Sequence, residues 1–358
     1  MAAQRDVIRW GIIGCGDVCE VKTGPAFYKA QGSRLVAVMR RNGALAADFA
    51  RRHGVPRFYD DPHAIVNDPE VDAVYVATPP GAHLDGTLLA AAAGKAVLVE
   101  KPMARSASEC DAMIAACARA KQKLFVSYYR RALPRFLAAR ERIASGALGE
   151  VTGIVYRFAA TGHGGTGMLP GAKMPPLVWR VQASDSGGGL FLDLGSHALD
   201  VLDFYFGALA AVQGHAACFG TEAEVEDSVA LSFRTNHGVP GVVTMNFASH
   251  AKEDVLEISG TAGRIVHSVF GAEPVRVETA RGVELLDRPN PPHIGQPFVQ
   301  TVVDDLLGRG TCQSTGHTAR RTSAVMDRVL AEYYGGREDA FWARPETWPG
   351  RRAPRIAS

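Results

Sequence analysis

The apolar positions of this chain fall into two textures. In the first third, short and mostly apolar runs recur: Ile8 to Ile13 (IRWGII), Leu35 to Met39 (LVAVM), Val71 to Ala77 (VDAVYVA), Ala96 to Glu100 (AVLVE) and Lys123 to Ser127 (KLFVS). Strands buried on both faces of a parallel sheet carry this pattern. Ala-rich helical stretches such as ALAADFARRHG and LDGTLLAAAAGK lie between them. Repetition of the unit predicts right-handed crossovers and a doubly wound α/β sheet. After Gly149 the pattern changes to period two. GEVTGIVYRFA, DSVALSFRT, GVVTMNFAS, DVLEISG, RIVHSVF and PVRVETA are separated by turn signals such as NHG and GTAG. That texture predicts an α+β domain built on a large, mostly antiparallel open sheet. Two helices, QPFVQTVVDDLLG and TARRTSAVMDRVLAEYY, close the chain before a tail from Gly336 that reads as irregular and packed on the surface.

Composition narrows the class. The 358 residues, 47% of them hydrophobic, can bury substantial cores, and the length suits two domains. A formal net charge of +2 gives no general attraction to nucleic acid or to an acidic membrane surface. The cysteines at 15, 19, 110, 117, 218 and 312 have neither zinc-knuckle spacing nor the density of a disulfide framework. The first residues run straight into a strand pattern without an apolar leader, and no apolar run reaches bilayer-spanning length. These features predict a soluble cytoplasmic protein.

The first chemical signal follows the first strand. In GIIGCGDVCE, Gly14 and Gly16 take the first two positions of a GxGxxG turn, Cys19 takes the third, and Asp17 and Val18 open the next helix. Such a turn brings backbone N–H groups against a pyrophosphate at a helix N-terminus. An NAD site commonly has an acid after the second strand to hold the ribose hydroxyls. Here Met39, Arg40, Arg41 and Asn42 stand there instead, and two guanidinium groups suit a 2′-phosphate. NADP(H) is therefore the favoured cofactor, with NAD(H) the alternative. The following strand ends border the same crevice: Thr78 and Pro79 form a wall for the nicotinamide side, and Glu100 and Lys101 end the next strand. His83 is grouped with this cofactor edge, although a plain surface residue at a helix start has the same signature. Alternation turns Glu100 away from Lys101, which leaves Lys101 as an active-site cation.

A second signal lies in SGGGLFLDLGSHALDVLDFYFG, Ser186 to Gly207. At 100° per residue, Asp193, His197 and Asp200 share one stripe, while Leu194, Ala198, Val201, Leu202 and Tyr205 form an apolar face. Gly187 to Gly189 precede the helix where backbone can approach a ligand closely. Imidazole titrates near neutral pH and can carry a proton in either direction, so His197 is the candidate acid/base. Asp193 would orient the imidazole or a substrate hydroxyl, Lys101 would stabilise negative charge on the reacting oxygen, and Asp200 would make a structural hydrogen bond. No third ligand completes a metal site around Asp193 and His197, so none is expected.

Together the glycine turn, the TPP…H loop, EKP, YYRR (Tyr128 to Arg131), Trp179–Arg180 and GGGxxxDxGxH resemble the Gfo/Idh/MocA oxidoreductase family. The resemblance implies a Rossmann domain over 1–127, a substrate and oligomerisation domain over 128–335, and a surface tail over 336–358. It also implies Lys101, Asp193 and His197 as catalytic residues. Arg41 matches an arginine of NADP-using members, and Tyr129 stands where many members have Asn. Tyr129, Arg130, Trp179 and Arg180 join the catalytic three as substrate-binding candidates. The implied activity is hydride transfer between nicotinamide and a sugar, polyol or related cyclic alcohol. A glycosidase with a recycled cofactor and a non-catalytic cofactor-binding regulator are the alternatives. A homodimer or homotetramer through the C-terminal sheet is the implied assembly.

Overall fold

The computed structural model describes residues 6–161, 179–219 and 224–351, so the outermost ends of the expected domains, 1–5 and 352–358, lie outside the described residues. The protein folds as two compact units. One comprises residues up to 104, 109–133 and 290–320; the other comprises 105–108, 134–289 and 321 onward.

The first unit holds six parallel strands: β1 (Ile8–Ile13), β2 (Ser33–Met39), β3 (Arg57–Tyr59), β4 (Ala73–Val76), β5 (Ala96–Val99) and β6 (Leu124–Val126). Their order is β3-β2-β1-β4-β5-β6, the doubly wound arrangement that the repeated units predict. Alternation splits each strand between two cores. Trp10, Ile12, Tyr75 and Leu98 enter one, and Ile13, Val74, Val76, Val97 and Val99 enter the other. The short edge strand β3 escapes sequence reading because its three residues carry no apolar run.

Register places the strand ends in one row. Met39, Val76 and Val99 are level with Ile13 through β2, β4 and β5. Arg40, Gly14, Ala77 and Glu100 therefore emerge together at the carboxyl edge of the sheet. Three inter-strand spacings, about 14 Å, separate the β2 end from the β5 end. Strand order reverses direction between β1 and β4, where ligands of open α/β sheets bind.

The second unit contains β7 (Val151–Ala159), β8 (Ala210–Ala217), β9 (Ser228–Arg234), β10 (Pro240–Asn246), β11 (Glu253–Gly260), β12 (Gly263–His267), β13 (Val275–Thr279) and β14 (Gly282–Leu286). They form one sheet in the order β14-β13-β12-β11-β7-β10-β9-β8. Among the described strands of this sheet, only β7 and β10 pair in parallel. Strict alternation buries Val229, Leu231 and Phe233 of β9 and Val243 and Met245 of β10. The sheet edges, β8 and β14, were not expected: AAVQGHAA has Val212 as its one strong strand former, and GVELL is exposed at four of its five positions.

The compact units divide the chain differently from the expected domains. Residues 290–320 lie within the expected second domain, yet they complete the first unit. Phe298, Val299, Val302 and Val303 on the helix Gln296–Leu306 fill the core that contains Trp10 and Phe27. Tyr129 and Arg130 likewise belong to the first unit. The tail is more than a surface strap. Arg337, Phe341 and Trp348 are buried, and Trp348 Nε1 donates to the Phe341 carbonyl at 2.9 Å.

Candidate active site

In the first unit the two glycines of the turn serve different ends. Gly14 has φ +87°, and a Cβ there would lie 2.8 Å from Thr78 Cγ2. A Cβ on Gly16 would meet nothing nearer than the Gly14 carbonyl at 3.9 Å, so its outer side is open to an approaching group. Cys19, in the third position, is fully buried against the turn, and its N–H donates to Gly16 O at 2.9 Å. Asp17 is exposed and Val18 half-buried, and no side chain caps the helix start at Gly16. Thr78 Oγ1 is buried with no hydrogen-bond partner among the described residues. The open face at Gly16 fits a dinucleotide phosphate, and the orphaned Thr78 hydroxyl fits a polar group of its nicotinamide end.

At the end of β2, Arg40 is half-buried with its N–H on the Tyr59 carbonyl at 3.2 Å, and Arg41 is exposed. Asn42 caps the helix Gly43–His53, its side chain accepting from Leu45 N–H at 3.2 Å. One strand over, Asp60 stands beside Gly43, where a Cβ would lie 3.4 Å from its carboxylate. That carboxylate was missed because β3 itself was missed.

Two residues grouped with the cofactor edge, Glu100 and His83, bond to groups within the protein. Glu100 faces inward, as alternation requires. Its carboxylate accepts from the Tyr75 hydroxyl, from Thr23 Oγ1 at 3.4 Å and from the Lys101 N–H at 3.1 Å. It therefore braces Lys101 from below. His83 is buried, contrary to a surface helix start. Its Nε2 lies 2.7 Å from Thr78 O, and Nδ1 lies 3.1 Å from Pro102 O and 3.2 Å from Met103 O. Burial holds this imidazole below its ordinary pKa, while the carbonyls of Thr78, Met103 and Pro102 pull the other way. His83 ties the Pro79 loop to the segment after Lys101, while Lys101 and Pro79 are themselves partly exposed. Nearby in sequence, the Arg130 guanidinium is buried 5.0 Å from the Tyr129 ring centre.

The second unit carries Asp193 and His197, with a helix different from the one expected. Phe191–Gly195 is a π-helical turn, and the α-helix proper runs from Ser196 to Phe206. The wider turn breaks the 100° periodicity on which the stripe of Asp193, His197 and Asp200 was drawn. Nor is one face reserved for the core. Every residue from Ser196 to Phe204 is buried, including Asp200 and Asp203. Asp203 is paired with Arg321, whose Nε and Nη2 donate to its two carboxylate oxygens at 2.7 and 2.8 Å.

Asp193 is held by Arg180, whose Nε lies 3.2 Å from Oδ2 and whose guanidinium covers the Trp179 ring at 4.5 Å. His197 is 4% exposed, with the Phe270 ring edge-on at 6.1 Å. The preceding glycines also differ from expectation: their close neighbours are protein. A Cβ on Gly187 would strike the Arg105 backbone, one on Gly188 would strike Leu192, and one on Gly189 would strike the Glu226 carbonyl. The Gly189 N–H donates to Glu226 at 2.9 and 3.0 Å, and Tyr334 donates its hydroxyl to the same carboxylate. Arg337 adds a bond to Gly187 O at 2.8 Å. The tail thus fixes the entry to the π-turn.

Residues 8–128 match the model described as "Oxidoreductase family, NAD-binding Rossmann fold", and residues 136–266 match "GFO/IDH/MocA C-terminal domain". The chain belongs to the Gfo/Idh/MocA oxidoreductase family. It is similar to Oxidoreductase P35 of Formosa agariphila, 34% identical over 89% of this chain and 97% of that protein. It is also similar to 1,5-anhydro-D-fructose reductase of Ensifer adhaerens, 31% identical over 77% of this chain and 80% of the relative. The solved aldose-aldose oxidoreductase from Caulobacter crescentus, complexed with glycerol, shares the fold with TM-score 0.79 at 24% identity, over 89% of this chain and 95% of that one.

This Gfo/Idh/MocA protein is thus an NAD(P)-dependent oxidoreductase. Within each unit, several residues near the expected positions pair with partners that no motif announced. Glu226, Arg321 and Arg337 have no local sequence signature, because their work is to pair with groups far along the chain. Among the described residues no helix is long and apolar enough to cross a membrane.

Proposed function

We propose that this oxidoreductase interconverts a secondary hydroxyl and a ketone on a sugar, polyol or related cyclic alcohol, with NADP(H) favoured over NAD(H). The observation that carries the reading is an almost buried imidazole, His197, following a π-turn whose carboxylate, Asp193, is oriented by Arg180. The names of the aldose-aldose oxidoreductase and of the anhydrofructose reductase support the sugar class.

Gly14, Gly16, Asp17, Val18, Thr78 and Pro79 would hold the dinucleotide, with Arg40 and Arg41 at its ribose end. The bound nicotinamide supplies the hydride acceptor or donor. His197 takes the hydroxyl proton in oxidation and returns it in reduction. Lys101 stabilises charge on the same oxygen, and Glu100 keeps the lysine backbone in place. Asp193 orients the imidazole or a neighbouring hydroxyl, while Tyr129, Arg130, Trp179 and Arg180 contribute substrate contacts. The outward face of the C-terminal sheet, where Val283 and Leu285 are 57% and 62% exposed, is the surface we assign to a homodimer or homotetramer.

The test is a screen of sugars and keto-sugars followed by the near-ultraviolet absorbance of reduced nicotinamide. Lys101→Met and His197→Ala should each cut turnover by at least ~100-fold while NADPH binding survives. Unchanged turnover in both variants refutes the roles, and substrate consumption without net absorbance change favours a hydrolase that recycles its cofactor. Arg40→Asp with Arg41→Ala should abolish discrimination by the 2′-phosphate. Equal affinity of the starting enzyme for NADH and NADPH removes the cofactor preference.

A further inference from the structure

The loop that carries Phe270, Ser268 to Gly271 between β12 and β13, is held from both sides. Asp254 on β11 accepts backbone N–H groups from Val269 at 2.9 Å, Phe270 at 2.6 Å and Gly271 at 3.1 Å. Tyr156 on β7 donates its hydroxyl to the same carboxylate at 3.1 Å. On the opposite side Arg135, 3% exposed, donates to the carbonyls of Ser268 and Gly271. His267 Nδ1 adds a bond to Ser268 O at 2.9 Å. A carboxylate on the N–H groups and a guanidinium on the carbonyls leave this backbone little freedom. Ser268 and Val269 are buried, so protein groups rather than water must satisfy this turn, and they hold its backbone in one conformation.

The clamp fixes the backbone that carries Phe270. This residue is half-buried, and its ring sits 5.4 Å from Phe158 and stands at 79° to the His197 imidazole. We infer that Phe270 is the specificity-determining residue of the site, its ring receiving the C–H face of a ring-closed substrate whose hydroxyl meets His197. The inference rests on the proposed role of His197 and adds the shape of what is recognised. A pyranose or cyclitol presents a persistent apolar side made of C–H bonds, which the negative face of an aromatic ring attracts and shields from water. An acyclic polyol has the same hydroxyls and no such lasting face. Its ordering would also consume part of the binding free energy.

Two probes with the same carbon skeleton isolate ring closure: 1,5-anhydro-D-glucitol and its acyclic counterpart D-glucitol, titrated calorimetrically into the enzyme saturated with NADP⁺. The wild-type enzyme should prefer the ring-closed probe. Phe270→Ala should weaken that probe by about tenfold and leave D-glucitol within about twofold. Phe270→Trp should keep the preference. Phe270→Leu, which retains bulk without a π-face, should lose most of it and so separates stacking from packing damage. Equal weakening of both probes, no change in either, or a wild-type enzyme without preference for the ring-closed probe overturns the inference. The underlying reading fails separately, through turnover that survives in His197→Ala, because the Phe270 ratio is read from binding alone.

Discussion

Gly14 and Gly16 sit two positions apart and answer to different forces. Gly14 is demanded by the protein itself, through φ +87° and the contact with Thr78. Gly16 is demanded only by what approaches from outside. Gly14→Ala should therefore destabilise the cofactor-free enzyme by about 1–2 kcal/mol, the order of left-handed strain for a residue with a Cβ. Gly16→Val should leave the apo melting temperature unchanged and remove the stabilisation conferred by NADPH. Thermal melts with and without cofactor check both outcomes, and a Gly16→Val enzyme that keeps its cofactor shift defeats the distinction. Residues of this kind are legible because their spacing is local: the glycine turn, Arg40 and Lys101 all follow strands that the apolar runs disclose. His83 was not legible. Its work is to bridge the carbonyls of Thr78 and Pro102, and a sequence does not show which carbonyls a buried ring will meet.

Elements repeat that division. The helix Ser196–Phe206 was foreseeable, whereas the π-turn ahead of it was not, because it depends on a distant partner. Gly195 leaves room there for the Phe191 ring and for Met245 of β10. The element β12 ends in His267, whose tautomer is set by its neighbours: Nδ1–H donates to Ser268 O, and Nε2 accepts the Tyr205 hydroxyl at 3.3 Å. Burial, aided by the Arg135 charge, lowers its pKa from 6.5 to about 4, while Asp254 pulls the other way. The folded protein thus holds the ring neutral where the unfolded polypeptide would protonate it. Stability from this group is full above pH 6.5, declines as pH falls, and is lost once pH passes below about 4. The loss amounts to about 3 kcal/mol. Urea unfolding of the enzyme and of His267→Gln between these limits should show a steeper acid decline in the former. Parallel curves would mean that His267 does not titrate as its surroundings require.

At the scale of the whole molecule, units do not follow the chain in order. The period-two texture after Gly149 correctly marks the large sheet, but it gave no reason to return residues 290–320 to the first unit. The helix Gln296–Leu306 was itself predicted from its apolar face; which core would receive that face was not. Amphipathic pattern states that a face must be buried and is silent about where. Since Phe298, Val299, Val302 and Val303 lie in the core with Ile8, Trp10 and Phe27, that core is built from residues nearly three hundred positions apart. Phe298→Ala should then cost about 3–5 kcal/mol, the usual range for truncating a buried aromatic ring. The effect should be confined. Amide exchange should quicken in β1, β2 and the Gln296–Leu306 helix, while the eight-stranded sheet keeps its protection. Loss of NADPH binding should accompany it, because the glycine turn is continuous with β1. Exchange that quickens equally in both sheets would show that the two units unfold as one.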